Sequence, residues 1–306
     1  MRLDRTLATA LAALATIGTA PSARAFCRTT TVPVAPDFQP SPDQCWDQGK
    51  PLYWKNACVG YSVQKDASRQ ISFDDASEAI ARAFSRWTGK TCPGEGGGAR
   101  VSIDVRDRGP VDCKLVQYNK TTGNANVIMF RDDSWPHADP NNTLALTTVT
   151  FNPETGEIYD ADMEINTQAQ KMTVVDPVPA DGFDFASIVT HEAGHFLGIA
   201  HSGDSNATMY ASYRPGSTRM RELAPDDVNA ICAVYRADGS RETADGPIPA
   251  EPCDPTPRRG FLTTCGSAKG GCSAAPGAPG PSSAAGLVLS AVAWLAWAAA
   301  RRKDRE

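Results

Sequence analysis

Three of the chain's four histidines stand within one eleven-residue run, HEAGHFLGIAH, from His191 to His201. Residues four apart on an α-helix project from one face, so His191 and His195 can turn their imidazoles toward one point. His201 can join them only if the chain leaves the helix sharply. Gly198 tolerates the left-handed backbone such a turn needs. Three imidazoles suit a zinc ion at about 2.0–2.1 Å and leave a fourth position for water, which is the composition of a catalytic rather than a closed structural site. Glu192, beside the first histidine, can reach that open position. The expected chemistry is a zinc-activated water with Glu192 as general base, taking the water's proton and returning it to a leaving amine. The chain has no G-x-S-x-G elbow, and this scheme needs no covalent intermediate.

Hydrophobic periodicity supplies a frame for that segment. An opening strand is expected around Cys58 to Gln64. Next comes a helix capped by Ser72, with Ala76, Ala79, Ile80, Ala83, Phe84 and Trp87 on one buried stripe. After the glycine-rich 94–98 loop, Val101, Ile103 and Val105 alternate as a half-buried strand would, and 126–131 reads as a third strand. Leu144 to Asn152 and Glu157 to Asn166 read as a hairpin turning through 152–156. The helix carrying the histidines should run from Asp184 to Leu197 and stop at Gly198, and a last helix should run from about Pro225 to Tyr235.

Both ends of the 306-residue chain have a different character. Residues 1–25 combine early arginines, an apolar run and Ala23-Arg24-Ala25, the pattern of a secretory signal peptide cleaved before Phe26. Export fits the nine cysteines, eight of which could form four disulfides in any of 105 pairings. Residues 237–281, rich in Pro, Gly, Ser and Ala, read as a linker in which Cys253 and Cys265 could close one small loop. Residues 282–306 follow with an apolar run from Ala284 to Ala300 and a terminal arginine cluster, long enough to span a bilayer with the basic end cytoplasmic. A net charge of −5 offers no basic field, so nucleic acid is not an expected partner, while protein and peptide substrates stay open.

The 191–201 run matches the H-E-x-x-H-x-x-G-x-x-H pattern of the metzincin zinc peptidases, and the chain resembles the matrixins among them. Ser202 after the third histidine, the LAPDDVNAICAVY segment, the opening LYW and the helix ending in Trp87 carry that likeness over roughly 51–236. The resemblance implies an α+β, zincin-like domain: a twisted mixed sheet, mainly parallel with one antiparallel edge strand, an active-site helix and a C-terminal helix. Within the expected catalytic domain, 26–236, it implies an endopeptidase with one catalytic Zn2+ and a methionine turn at Met209 packing beneath the metal. It further implies a specificity-pocket wall at Tyr210 to Tyr213, with Tyr210 and Tyr213 as pocket candidates, and substrate bound as an added strand along Leu144 to Val149.

The second zinc site of animal matrixins is not expected, because Tyr159 stands where one of its histidines would fall and only His137 is left over. Ca2+ could be held by Asp160, Asp162 and Glu164, although alternate acidic positions on a strand also read as a solvated face. The tail resembles myxobacterial surface-sorting signals, which makes Cys272 a candidate for processing or lipid attachment and the cell surface or outer membrane the expected location. The alternative reading is a non-catalytic, zinc-containing surface module for adhesion or binding, against which Glu192 speaks, since a structural site has no use for a base. The motif also leaves open another metallohydrolase on the same fold.

Overall fold

The computed structural model describes residues 26–94 and 98–265. The segments read as a signal peptide and a membrane tail, and Cys272, therefore lie outside the described residues. Among those that are described, no helix is long and apolar enough to cross a membrane.

Helix α1 spans Phe73–Thr88 and begins where Ser72 accepts the Asp75 N–H, with Asp74 and Asp75 beside the positive end of the helix dipole. Its buried face is the expected stripe from Ala76 to Trp87. Five strands form the main sheet: β1 (Cys58–Val63), β2 (Asp104–Asp107), β3 (Val127–Phe130), β4 (Ala145–Phe151) and β5 (Ile158–Ile165). Their order is β2-β1-β3-β5-β4, parallel except for β4, which runs antiparallel to β5 and forms an edge. The expected hairpin is present, and Gly156 takes the left-handed φ of 82° that its turn requires. The second strand starts later than its alternation suggested: Val101 and Ile103 are buried in the core, but pairing with β1 begins at Asp104.

Short strands β6 (Met172–Thr173) and β7 (Phe183–Asp184) pair just before helix α2 (Phe185–Phe196), and helix α3 (Pro225–Val234) closes the domain. One apolar core joins α1, α2 and α3 to the inner face of the sheet. A smaller cluster of Val111, Cys113, Val127 and Met129, with Phe261 against it, lies apart from that core.

The linker reading of 237–281 is corrected over its described part. Strands β8 (Ser240–Thr243) and β9 (Gly246–Pro249) form an antiparallel hairpin, and the chain then runs on across the domain. Cys253 and Cys265 close no local loop but bond to Cys58 and Cys113, and the other disulfides are Cys27–Cys45 and Cys92–Cys232. Arg241 is fully buried and donates to the carbonyls of Trp54, Asn56 and Ser102 and to the Ser102 hydroxyl. This strap is held by two disulfides, the Arg241 guanidinium and backbone bridges at Glu251, Phe261 and Thr264, with only scattered apolar contacts such as Ile248 and Phe261, so hydrophobic periodicity carried no trace of it. The four disulfides among the described residues fit an exported protein.

Candidate metal centre

Helix α2 is fixed at both ends. Asp184 accepts the N–H and the hydroxyl of Ser187 as N-cap, and its carboxylate also pairs with Arg221 at 2.8 Å. At the other end, the Gly198 N–H bonds to the His195 carbonyl and the Ile199 N–H to the Gly194 carbonyl, both at 2.9 Å. That is a Schellman ending, with Gly198 at φ 83° as the motif demands. Between the ends, the Trp87 indole donates to the Thr190 carbonyl, the Trp54 indole to Phe196 and the Tyr235 hydroxyl to Leu197. Polar contacts from α1, the opening segment and α3 thus hold the helix in place.

Among the described residues, His191, His195 and His201 form the group able to share one metal ion, with ligand atoms all within 4.8 Å of one another. His191 donates from Nδ1 to the Thr208 carbonyl at 2.6 Å, and His195 from Nδ1 to the Ile199 carbonyl at 2.7 Å. Those bonds fix the tautomers and leave the Nε2 lone pairs facing each other at 3.1 Å. Nε2 of His201 is buried with no hydrogen-bond partner. Burial, and then the neighbouring imidazoles, hold His191 well below the usual histidine range; burial pushes His195 down to about 4, and burial with the charge of His195 keeps His201 low. Neutral rings with convergent, unsatisfied lone pairs are a donor set that a zinc ion fits.

Glu192 is fully buried, and burial pushes its carboxyl up to about 8 while a hydrogen bond from Thr147 pulls it back. Thr147 Oγ1 donates to Oε2 at 2.6 Å, whereas Oε1 has no partner among the described residues.

Met209 is buried in a turn beneath the histidines, its sulfur packed against Gly194 of α2. Asp227, in the first turn of α3, accepts the N–H groups of Thr208, Met209 and Ala224. A chain of contacts therefore runs from Asp227 through Thr208 to the His191 ring. Ser202 is tied to the same turn, its N–H bonding to the Met209 carbonyl and its hydroxyl to Asp226. Of the pocket candidates, Tyr210 is half-buried with the Arg219 guanidinium over its ring, and Tyr213 is buried with its hydroxyl on the Ser217 carbonyl. Thr147 and the bridging parts of Thr208 and Asp227 were missed in the sequence, because no spacing rule links a strand, a turn and a helix that meet only on folding.

The acidic positions of β5 are not a solvated face. Asp160, Asp162 and Glu164 are all buried. Glu164 bonds to Arg131 through Oε1 and to His137 through Oε2, both at 2.6 Å, which accounts for the leftover histidine. Asp162 accepts the N–H groups of Val127 and Gln117, and burial still raises it to about 8. Asp160 is held well above the ordinary carboxylate range by burial and by the charge of Asp162, and its Oδ1 is unpartnered among the described residues. Tyr159 stacks on Tyr118, with the Arg258 guanidinium of the strap 3.8 Å from its ring centroid.

Comparison with known proteins agrees with this geometry. Human neutrophil collagenase is 27% identical over 217 residues, covering 69% of this chain and 39% of that protein. Human matrilysin is 37% identical over 103 residues, 34% of this chain and 35% of its own length. Metalloendoproteinase 1 of Glycine max is 33% identical over 168 residues, 53% and 46% respectively. The chain thus spans less than half the length of each of these relatives. The matrixin peptidase model matches residues 53–236, more than half of the sequence and the whole of the centre described above. Because that match covers more than half of the sequence, this chain belongs to the matrixin family.

Proposed function

We propose that the protein is a zinc-dependent endopeptidase. The observation that carries the reading is the convergence of three imidazoles with unsatisfied Nε2 atoms on a helix whose Glu192 keeps one carboxylate oxygen unpartnered. His191, His195 and His201 would hold the ion. Zinc there would acidify a water and polarise the scissile carbonyl. Glu192 would take a proton at Oε1 from the attacking water as its oxygen bonds to the carbonyl carbon, and would deliver that proton to the leaving amine as the C–N bond breaks, so no proton is left on the enzyme. The edge strand β4 offers its free backbone groups to an extended peptide, as β-augmentation requires. Tyr210 and Tyr213 wall the pocket for the side chain beyond the cleaved bond.

Export is the matching location, supported by the four disulfides. Surface attachment through residues 282–306, with processing at Cys272, extends that reading, and N-terminal and C-terminal sequencing of the mature protein would check both ends. Of the three acidic positions proposed for calcium, Asp160 keeps an unpartnered oxygen, whereas both Asp162 oxygens already accept the Val127 and Gln117 N–H groups and Glu164 is committed to Arg131 and His137. A rise in melting temperature with Ca2+ that disappears in Asp160→Asn would support calcium there, and no rise would refute it.

The decisive experiment compares cleavage of an unstructured protein by wild type and Glu192→Gln, with zinc measured on both. Activity lost with zinc retained supports the peptidase. A zinc-loaded wild type that cleaves nothing would favour the adhesion or binding module instead.

A further inference from the structure

The core-facing row of β4 contains one residue out of place. Side chains alternate across a strand, so Ala145, Thr147 and Val149 share a face, and Ala145 and Val149 both belong to the main apolar core. A hydroxyl between them is costly to bury unless it is hydrogen-bonded. Thr147 is only 1% exposed. Its Oγ1 lies 2.6 Å from Glu192 Oε2 and 3.4 Å from the Glu192 carbonyl, so its single proton goes to the carboxylate.

Among the described residues the same bond is the only hydrogen bond to that carboxylate, and Glu192 Oε1 has no partner there. A glutamate side chain has three rotatable bonds, and the last torsion is broad and loosely held. Pinning one oxygen from the neighbouring strand removes that freedom and decides which oxygen meets the water. The strand that supplies the pin is also the edge proposed to bind the peptide, so base and substrate would be referenced to the same element.

We propose that Thr147 is a positioning residue for the general base: its hydroxyl clamps Oε2 of Glu192, leaving Oε1 as the oxygen that accepts the water's proton. This rests on the endopeptidase reading above. Thr147 keeps its own proton throughout; the transferred proton passes from water to Oε1 and on to the leaving amine.

The test uses the full zinc-loaded chain with Thr147→Val, which keeps the shape and removes the hydroxyl, and Thr147→Ser, which keeps the hydroxyl. Peptide turnover is read beside the affinity for acetohydroxamate, a small zinc chelator whose acidic O–H must be accepted by Glu192. The valine variant should lose about tenfold or more in kcat and about tenfold in acetohydroxamate affinity, the worth of one charge-assisted hydrogen bond. KM, zinc content and melting temperature should stay close to wild type, and serine should restore both losses to within about twofold. If valine does not fold, the comparison of Thr147→Ser with Thr147→Ala isolates the hydroxyl. Equal kcat and equal affinity with and without the hydroxyl would overturn the proposal, as would losses that track zinc release or that serine fails to rescue. A wild type without peptidase activity would sink the endopeptidase reading, while the acetohydroxamate comparison would still decide the role of Thr147.

Discussion

Met209 packs its sulfur against Gly194 so closely that a β-carbon at position 194 would overlap it, and the Trp87 indole closes the same space from the side of α1. The glycine between the two helical histidines is therefore a packing requirement of the turn beneath them. Gly194→Ala should destabilise the domain by about 1–3 kcal/mol through overpacking, despite alanine's better helix propensity. Chemical denaturation would measure it. Met209→Ala in the same chain should return part of the loss, and simple additivity of the two changes would refute the contact as its cause.

Asp227 ties the methionine turn to α3 by accepting three backbone N–H groups, and the turn in turn fixes the His191 ring through the Thr208 carbonyl. Asp227→Ala strands buried donors and should cost at least about 2 kcal/mol. Loss of an outer partner of a metal-binding histidine should also weaken zinc by about tenfold or more. Competition with a chromogenic chelator reads the second effect separately from stability.

Asp160 and Asp162 set a pH dependence whose sign is fixed by their environment. Burial raises both carboxyls above their ordinary value, Asp162 to about 8. Below about pH 4 both the folded and unfolded forms are protonated; as pH rises the unfolded chain ionises first, so stability falls through the window up to about 8. In calcium-free buffer, Asp160→Asn should therefore melt higher than wild type at pH 7.5, with the difference shrinking toward pH 4. A variant less stable than wild type at pH 7.5 would show that the carboxylate has a favourable partner.

Arg241 anchors the strap to carbonyls at Trp54, Asn56 and Ser102. Arg241→Leu leaves these acceptors buried without a donor and should lower stability by about 2–4 kcal/mol. Removing the Cys58–Cys253 disulfide as a pair of alanines should cost a similar amount, about 2–4 kcal/mol. Melting curves of both variants check this, and an unchanged Tm for either would make the strap an appendage rather than part of the domain.

Local pattern determined much of this protein in advance. The 3.6-residue stripe of α1, the β4–β5 hairpin, the Gly198 turn and the four-residue spacing of His191 and His195 are consequences of backbone geometry within a few residues, so the sequence displays them directly. Tertiary structure alone decided the rest. Eight cysteines left 105 pairings open until the strap was seen to reach back to Cys58 and Cys113. The acidic row of β5 read as solvated because alternation says which residues share a face, and not whether another layer covers it. Thr147 and Thr208 reach the histidine helix from a strand and a turn, and Asp227 reaches Thr208 from another helix. Contacts between residues 45, 17 and 19 positions apart carry no period, and only the folded chain brings them together.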